Sequence, residues 1–195
     1  KSALALTFVR RALSDKIPVL FVSLEMSPDS LTRRMASASC RIPLRDLREI
    51  NREHFDREHL ARLASFNLRL AAAPYTCVNG QRGMTANQIE EIVARQVEST
   101  GCQLVVIDYL QKIIPDTKGE KRTYEVGAIS GRMKAIAAQY NVAVLSLAQL
   151  NRESEQADGR MPRLSDLADS SQIERDADLV GLLHRKRDER DPNGT

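Results

Sequence analysis

Three short, nearly all-apolar runs constrain the fold of this chain more than anything else in it: IPVLFVSL at 17–24, LVVID at Leu104–Asp108 and AVLSL at 143–147. Runs of this length with no polar alternation read as strands covered on both faces, as in parallel sheets. None is long enough to cross a bilayer. Amphipathic stretches separate them, and alternating strands and helices imply right-handed crossovers. The expected class is therefore α/β, a mostly parallel sheet flanked by helices on both faces. Open sheets of this kind bind ligands at the carboxyl ends of their strands.

Local signals place the other elements. Residues 3–13 have apolar positions at helical spacing, with Arg10 and Arg11 near the C-terminal end, where the helix dipole favours cations. Ser27-Pro28-Asp29 supplies a cap hydroxyl, a proline at the first helical position and an acid in the first turn, which starts a helix running to about Ser39. Residues 43–55 are charged and read as irregular, and 56–70 as an amphipathic helix. A short strand is expected at 75–78. Asn79-Gly80 and Gly83 are turn material. Thr85 and Gln88 form a capping box that opens a helix to about Ser99. PDTKGEKR at 115–122 reads as a polar loop, 123–140 as a helix and 151–163 as a long loop. A short helix at 165–175 and a strand at 179–184 complete the expected order.

Composition narrows the functional classes. The 195 residues suffice for one α/β domain with a real core. The balance of 29 basic and 26 acidic residues leaves a net charge of +3, so any basic surface for nucleic acid must be local. Aromatics are 4% of the chain and Trp is absent, which argues against base stacking as the main binding device. Cys40, Cys77 and Cys102 are widely spaced and form no CxxC pair; they read as buried apolar residues of a reducing, cytoplasmic compartment. His54 and His59 have no companion ligands. No secretory leader or membrane segment is expected.

The candidate chemistry gathers at strand ends. Asp108 closes the second apolar run, inside VVIDYLQ, and Glu25 follows the first, inside FVSLEM. A carboxylate delivered to that edge can hold a metal ion, and another can polarise an attacking water. Taken alone, each could equally be a solvated strand-end acid. Lys1-Ser2 precedes a helix, as the last two residues of a phosphate-binding loop do; there the lysine reaches phosphates and the hydroxyl binds Mg²⁺. Gln149 follows the third run. Lys118, Lys121 and Arg122, together with Arg152, Arg160 and Arg163 and the stretch 165–171, are candidate nucleic-acid contacts, although mixed charges on loops are commonly just solvated.

SLEM at 23–26, VVIDYLQ at 105–111, LAQLNR at 147–152 and LSDLADSSQIERDADLV at 164–180 together resemble, in order and spacing, the C-terminal motor domain of bacterial and phage DnaB-type replicative helicases. The helix beginning EVGAISG is similar to the segment between that family's second and third motifs. The resemblance covers essentially the whole chain. It implies a single RecA-like domain over 1–195, beginning inside the Walker A loop and ending before an arginine-finger region. It further implies ATP and Mg²⁺ as ligands, a homohexameric ring around single-stranded DNA, and primase and a helicase loader as possible partners. By position, Lys1 and Ser2 resemble the end of the Walker A loop, Glu25 the catalytic glutamate, Asp108 the Walker B metal ligand and Gln149 the γ-phosphate sensor. Lys118, Lys121, Arg122, Arg152, Asp169, Ser170 and Ser171 would contact DNA. Relatives typically read Arg-Glu-Ser-Gly where this chain reads Ala168-Asp169-Ser170-Ser171. It thus lacks an arginine able to contact phosphate and a glycine that admits close approach of the backbone.

The expected function is an ATP-dependent helicase motor. Two rivals remain at this point: a RecA-like ATPase of recombination or clock type that does not unwind, and a degenerate scaffold that binds DNA or a partner without hydrolysis. The 195 residues alone could also be inactive.

Overall fold

The computed structural model describes residues 1–49, 55–116, 122–151, 160–167 and 171–184, with the backbone alone at 49, 122 and 123. Its helices are α1 (Ser2–Ser14), α2 (Pro28–Cys40), α3 (Leu44–Glu49), α4 (Arg57–Ala72), α5 (Ala86–Thr100), α6 (Arg122–Tyr140) and α7 (Ser171–Asp176). Its strands are β1 (Val19–Ser23), β2 (Tyr75–Asn79), β3 (Leu104–Asp108) and β4 (Ala143–Ser146). Single 3-10 turns lie at Leu110–Lys112 and Leu164–Asp166.

The strands form one four-stranded sheet in the order β2-β1-β3-β4. Every pairing is parallel. The central strands β1 and β3 are buried almost throughout, while β2 and β4 at the edges are half-exposed. The period of two along β1 divides its side chains between two cores. Leu20 and Val22 join Val105 and Ile107 against α5 and α6, through Ile89, Val93, Val126, Ile129 and Met133. Val19 and Phe21 join Val106 against α1, α2 and α4, through Leu6, Val9, Leu31, Met35 and Phe66. The expected class, a parallel sheet with helices on both faces, is the one found.

The caps read from sequence form as expected. The Ser27 hydroxyl accepts from the Ser30 amide at 3.3 Å. Thr85 and Gln88 close the reciprocal capping box at the start of α5. A further cap, not anticipated from the sequence, starts α4, where Asp56 accepts from the His59 amide at 2.7 Å. α7 lies close on α6 because Gly127 carries no side chain: a Cβ there would come within 3.1 Å of Gln172 Cβ. No helix among the described residues is long and apolar enough to cross a membrane.

Three expectations need correction. Residues 43–55 are not wholly irregular, since α3 forms within them and Leu47 packs on the core that holds Phe66. The surrounding charges hide the i, i+3 pair Leu44 and Leu47. The single helix expected at 165–175 is instead a 3-10 turn and the short helix α7, because Leu167 pairs antiparallel with Leu150. Residues 179–184 are not a strand. No described strand pairs with them, Leu179 is 91% exposed, and an extended run without a neighbour has no ladder to join.

Replacing Thr85 with alanine removes one half of the capping box. Urea unfolding is expected to show a loss of about 1 kcal/mol, the usual consequence of losing such a cap.

Candidate functional site

The register of the sheet builds the site. Ser23, the last residue of β1, lies opposite Asp108, the last residue of β3. The Leu24 amide donates to the Asp108 carbonyl at 2.8 Å, so the two strands stay joined one residue further. The chain then turns. The Ser23 hydroxyl donates to the Met26 carbonyl at 2.6 Å, and Glu25 is turned outward with its side chain 46% exposed. Gln81, from the connection after β2, braces this turn by donating to the Glu25 carbonyl at 3.1 Å. Two neighbouring parallel strands thus end in carboxylates in different surroundings, one exposed and one enclosed.

Asp108 is fully buried, and neither of its carboxylate oxygens has a hydrogen-bond partner among the described groups. A bare carboxylate held away from water is strongly unfavourable unless something else satisfies it. The Asp108-Tyr109 peptide is cis.

Lys1 precedes α1 at the same edge of the sheet. Its ammonium lies 3.7 Å from Glu25 Oε2 and 3.4 Å from the centroid of the Tyr109 ring. Ser2 is the first residue of α1, whose N-terminal amides point to this edge and favour negative charge. The buried Asp108 carboxylate, with both oxygens unpartnered among the described groups, and the Ser2 hydroxyl at the start of α1 are oxygen donors of the kind that could hold a hard cation such as Mg²⁺.

Gln149 lies just beyond β4 and is exposed. Its backbone is clamped by Gln111, whose side chain donates to the Gln149 carbonyl and accepts from the Gln149 amide, each at 3.3 Å. The Leu110 amide also donates to the Leu147 carbonyl at 2.8 Å. The structure therefore brings Lys1, Ser2, Glu25, Asp108 and Gln149 to one edge, with a direct side-chain contact between Lys1 and Glu25.

The expected DNA-facing residues are only partly placed. Lys118, Lys121, Arg152, Asp169 and Ser170 lie outside the described residues. Arg122 opens α6, with its backbone alone described. Ser171 opens α7 and is exposed, and its carbonyl accepts from Arg175 Nε at 3.0 Å. Arg160 is engaged elsewhere, in an ion pair with Asp166 at 2.8 Å. Sequence reasoning assigned no role to Tyr109 or Gln111, and it included Asp166 only within a candidate nucleic-acid stretch, whereas its carboxylate is bonded to Arg160 and the Arg163 amide. The first two sit inside VVIDYLQ itself, and their position directly after a strand-end aspartate was the available signal.

Comparison with known proteins follows from this geometry. A family model described as the DnaB-like helicase C terminal domain matches residues 1–194. The replicative DNA helicase DnaB of Leifsonia xyli is 36% identical over 187 residues, covering 95% of this chain and 40% of that relative. The DnaB helicase of Mycobacterium leprae is 35% identical over 196 residues, covering 99% of this chain and 32% of the relative. The chain thus spans well under half the length of these relatives. A solved ATPase domain superposes on 100% of this chain and 67% of its own, with a TM-score of 0.89 at 26% identity. A DnaB-like replicative helicase, solved in a study of its interactions with primase, gives a TM-score of 0.83 at 28% identity over 90% of this chain and 42% of its own.

Because Asp108 is buried without a partner among the described groups, Asp108→Asn, which removes the charge and keeps the shape, is expected to melt no lower than wild type in the metal-free protein. The same substitution should remove the stabilisation that Mg²⁺ and ATP give the wild type. Thermal melting with and without both ligands checks both parts, and a variant that melts lower than wild type in Mg²⁺-free buffer would contradict the first.

Proposed function

This chain belongs to the family of DnaB-like helicase C-terminal domains, and from that premise we propose that it is the ATP-hydrolysing motor of a cytoplasmic replicative DNA helicase. The observation that carries the reading is the buried, unpartnered Asp108 carboxylate, with Lys1, Ser2 and Glu25 gathered at the same strand ends.

In this reading Asp108 and the Ser2 hydroxyl hold Mg²⁺, which when bound neutralises charge on the phosphates of ATP. Lys1 reaches the β- and γ-phosphates. In the structure Lys1 is paired with Glu25. Phosphate oxygens are stronger competitors for an ammonium than an exposed carboxylate, so arrival of ATP draws Lys1 away and frees Glu25. Glu25 then orients a water and accepts its proton as the water attacks the γ-phosphorus and the bond to the β,γ-bridging oxygen breaks, releasing ADP and phosphate. The Gln81 hydrogen bond to the Glu25 carbonyl keeps that side chain at the strand end. Gln149, at the tip of β4, senses the γ-phosphate.

The intact protein is read as a hexameric ring with ATP between subunits and an arginine finger supplied in trans. Lys118, Lys121, Arg122, Arg152, Asp169, Ser170 and Ser171 face single-stranded DNA in the channel, and hydrolysis advances those contacts along one strand. Primase and a loader are the proposed protein partners. A retired scaffold has no chemical need for both a buried unpaired aspartate and a neighbouring glutamate, which favours the motor over that rival.

Glu25→Gln in the full-length protein is the test. The amide keeps the shape and loses the proton acceptor, so ATP turnover should fall by about 10²–10⁴-fold, the range for loss of a general base. Nucleotide affinity should change little. Turnover at the wild-type rate would remove Glu25 from this role.

A further inference from the structure

One residue, Asp166, bonds to the chain on either side of residues 152–159, through its carboxylate on one side and its backbone carbonyl on the other. Asp166 is 8% exposed, in the 3-10 turn that follows Arg163. Its Oδ1 accepts from Arg160 Nη2 at 2.8 Å and its Oδ2 from the Arg163 amide at 2.7 Å. Its carbonyl accepts from the Asn151 amide at 2.7 Å. Asn151 and Arg160, the described residues that flank 152–159, are therefore both fastened to Asp166. Next to it, Leu167 pairs antiparallel with Leu150 and is buried in the core against α5 and α6.

The contacts continue toward the nucleotide edge. Leu150 and Asn151 directly follow Gln149, whose backbone is clamped by Gln111 from the turn after Asp108. An unbroken series of short contacts thus runs from the end of β3, through the end of β4, to the turn that leads into 168–171. Arg160 beside the carboxylate, helped by the Arg163 amide, holds the Asp166 carboxyl below the usual carboxylate range. That contribution is present above the ordinary carboxylate pKa and is lost only as pH falls through the depressed value, so the fastening is intact throughout the neutral range.

We propose that Asp166 is a positioning residue that holds the turn at 163–167 on the end of β4, so that the nucleotide state at Gln149 reaches the residues on either side of Asp166. This rests on the motor reading above and adds to it a specific transmission element. Among the described residues, the side-chain partners of Asp166 are Arg160 and the Arg163 amide, neither of them proposed above to bind nucleotide. Its effect must appear in the coupling between nucleotide and DNA.

The test uses the full-length protein as wild type, Asp166→Asn and Asp166→Ala. Asparagine keeps one acceptor and the side-chain volume and loses the charge; alanine removes the contacts with Arg160 and the Arg163 amide and leaves only the backbone bond to Asn151. Basal ATP turnover, KM for ATP, stimulation by single-stranded DNA and melting temperature are measured for each. Basal turnover and KM for ATP should stay within about twofold of wild type, while DNA stimulation should fall about three- to thirtyfold in the alanine variant and less in the asparagine variant, the size expected when a coupling element is broken. Undiminished DNA stimulation in both variants overturns the proposal. So does a parallel loss of basal and stimulated turnover in both, which marks a merely structural role. A wild-type protein whose turnover ignores DNA overturns the motor reading itself, and this proposal with it.

Discussion

Everything at this site depends on one register: β1 and β3 pair in parallel so that Ser23 lies opposite Asp108. That pairing carries an aspartate to the buried end of a central strand and leaves both of its oxygens without a partner among the described groups. Burial of a bare carboxylate opposes folding. The two cores that sandwich β1 and β3 outweigh it, since Leu20, Phe21, Val22, Val106 and Ile107 are all fully buried. Stability is given up at this carboxylate, and local inconsistency of that kind is expected at functional sites.

Around that group the strand ends are tied by side chains from the loops beyond neighbouring strands. Gln81 braces the turn after β1, Gln111 clamps the residue after β4, and Asp166 fastens the chain that follows. These are polar contacts on half-exposed backbone, individually modest in water. Their collective effect is to keep Glu25 and Gln149 at fixed offsets from Asp108 while leaving both side chains accessible. An exposed edge held in this way suits a ligand shared between subunits, as the proposed ring requires.

Much of this was legible in the sequence, because much of it is local. The strand runs, the Ser27 cap and the Thr85-Gln88 box each depend on residues within a few positions of one another, and each forms. What failed depends on distant partners. Residues 179–184 have the composition of a strand and lack a described neighbour to pair with. The helix expected at 165–175 is divided by the Leu150-Leu167 bridge, which no local pattern announces. The Gln111-Gln149 clamp joins residues 38 apart, and a glutamine after a strand end does not reveal which backbone it will hold. The positions of Asp108 and Glu25 could be read from their strands; the absence of partners for Asp108, the strongest sign of its chemistry, appears only in three dimensions.

The central claim is that nucleotide chemistry at this edge is coupled to single-stranded DNA. The most direct measurement is ATP turnover by the full-length protein with and without single-stranded DNA, across a series of salt concentrations. The account predicts strong stimulation that fades as salt rises, because contacts with phosphates release counterions. Turnover indifferent to DNA at every salt concentration, or no turnover at all, would contradict it.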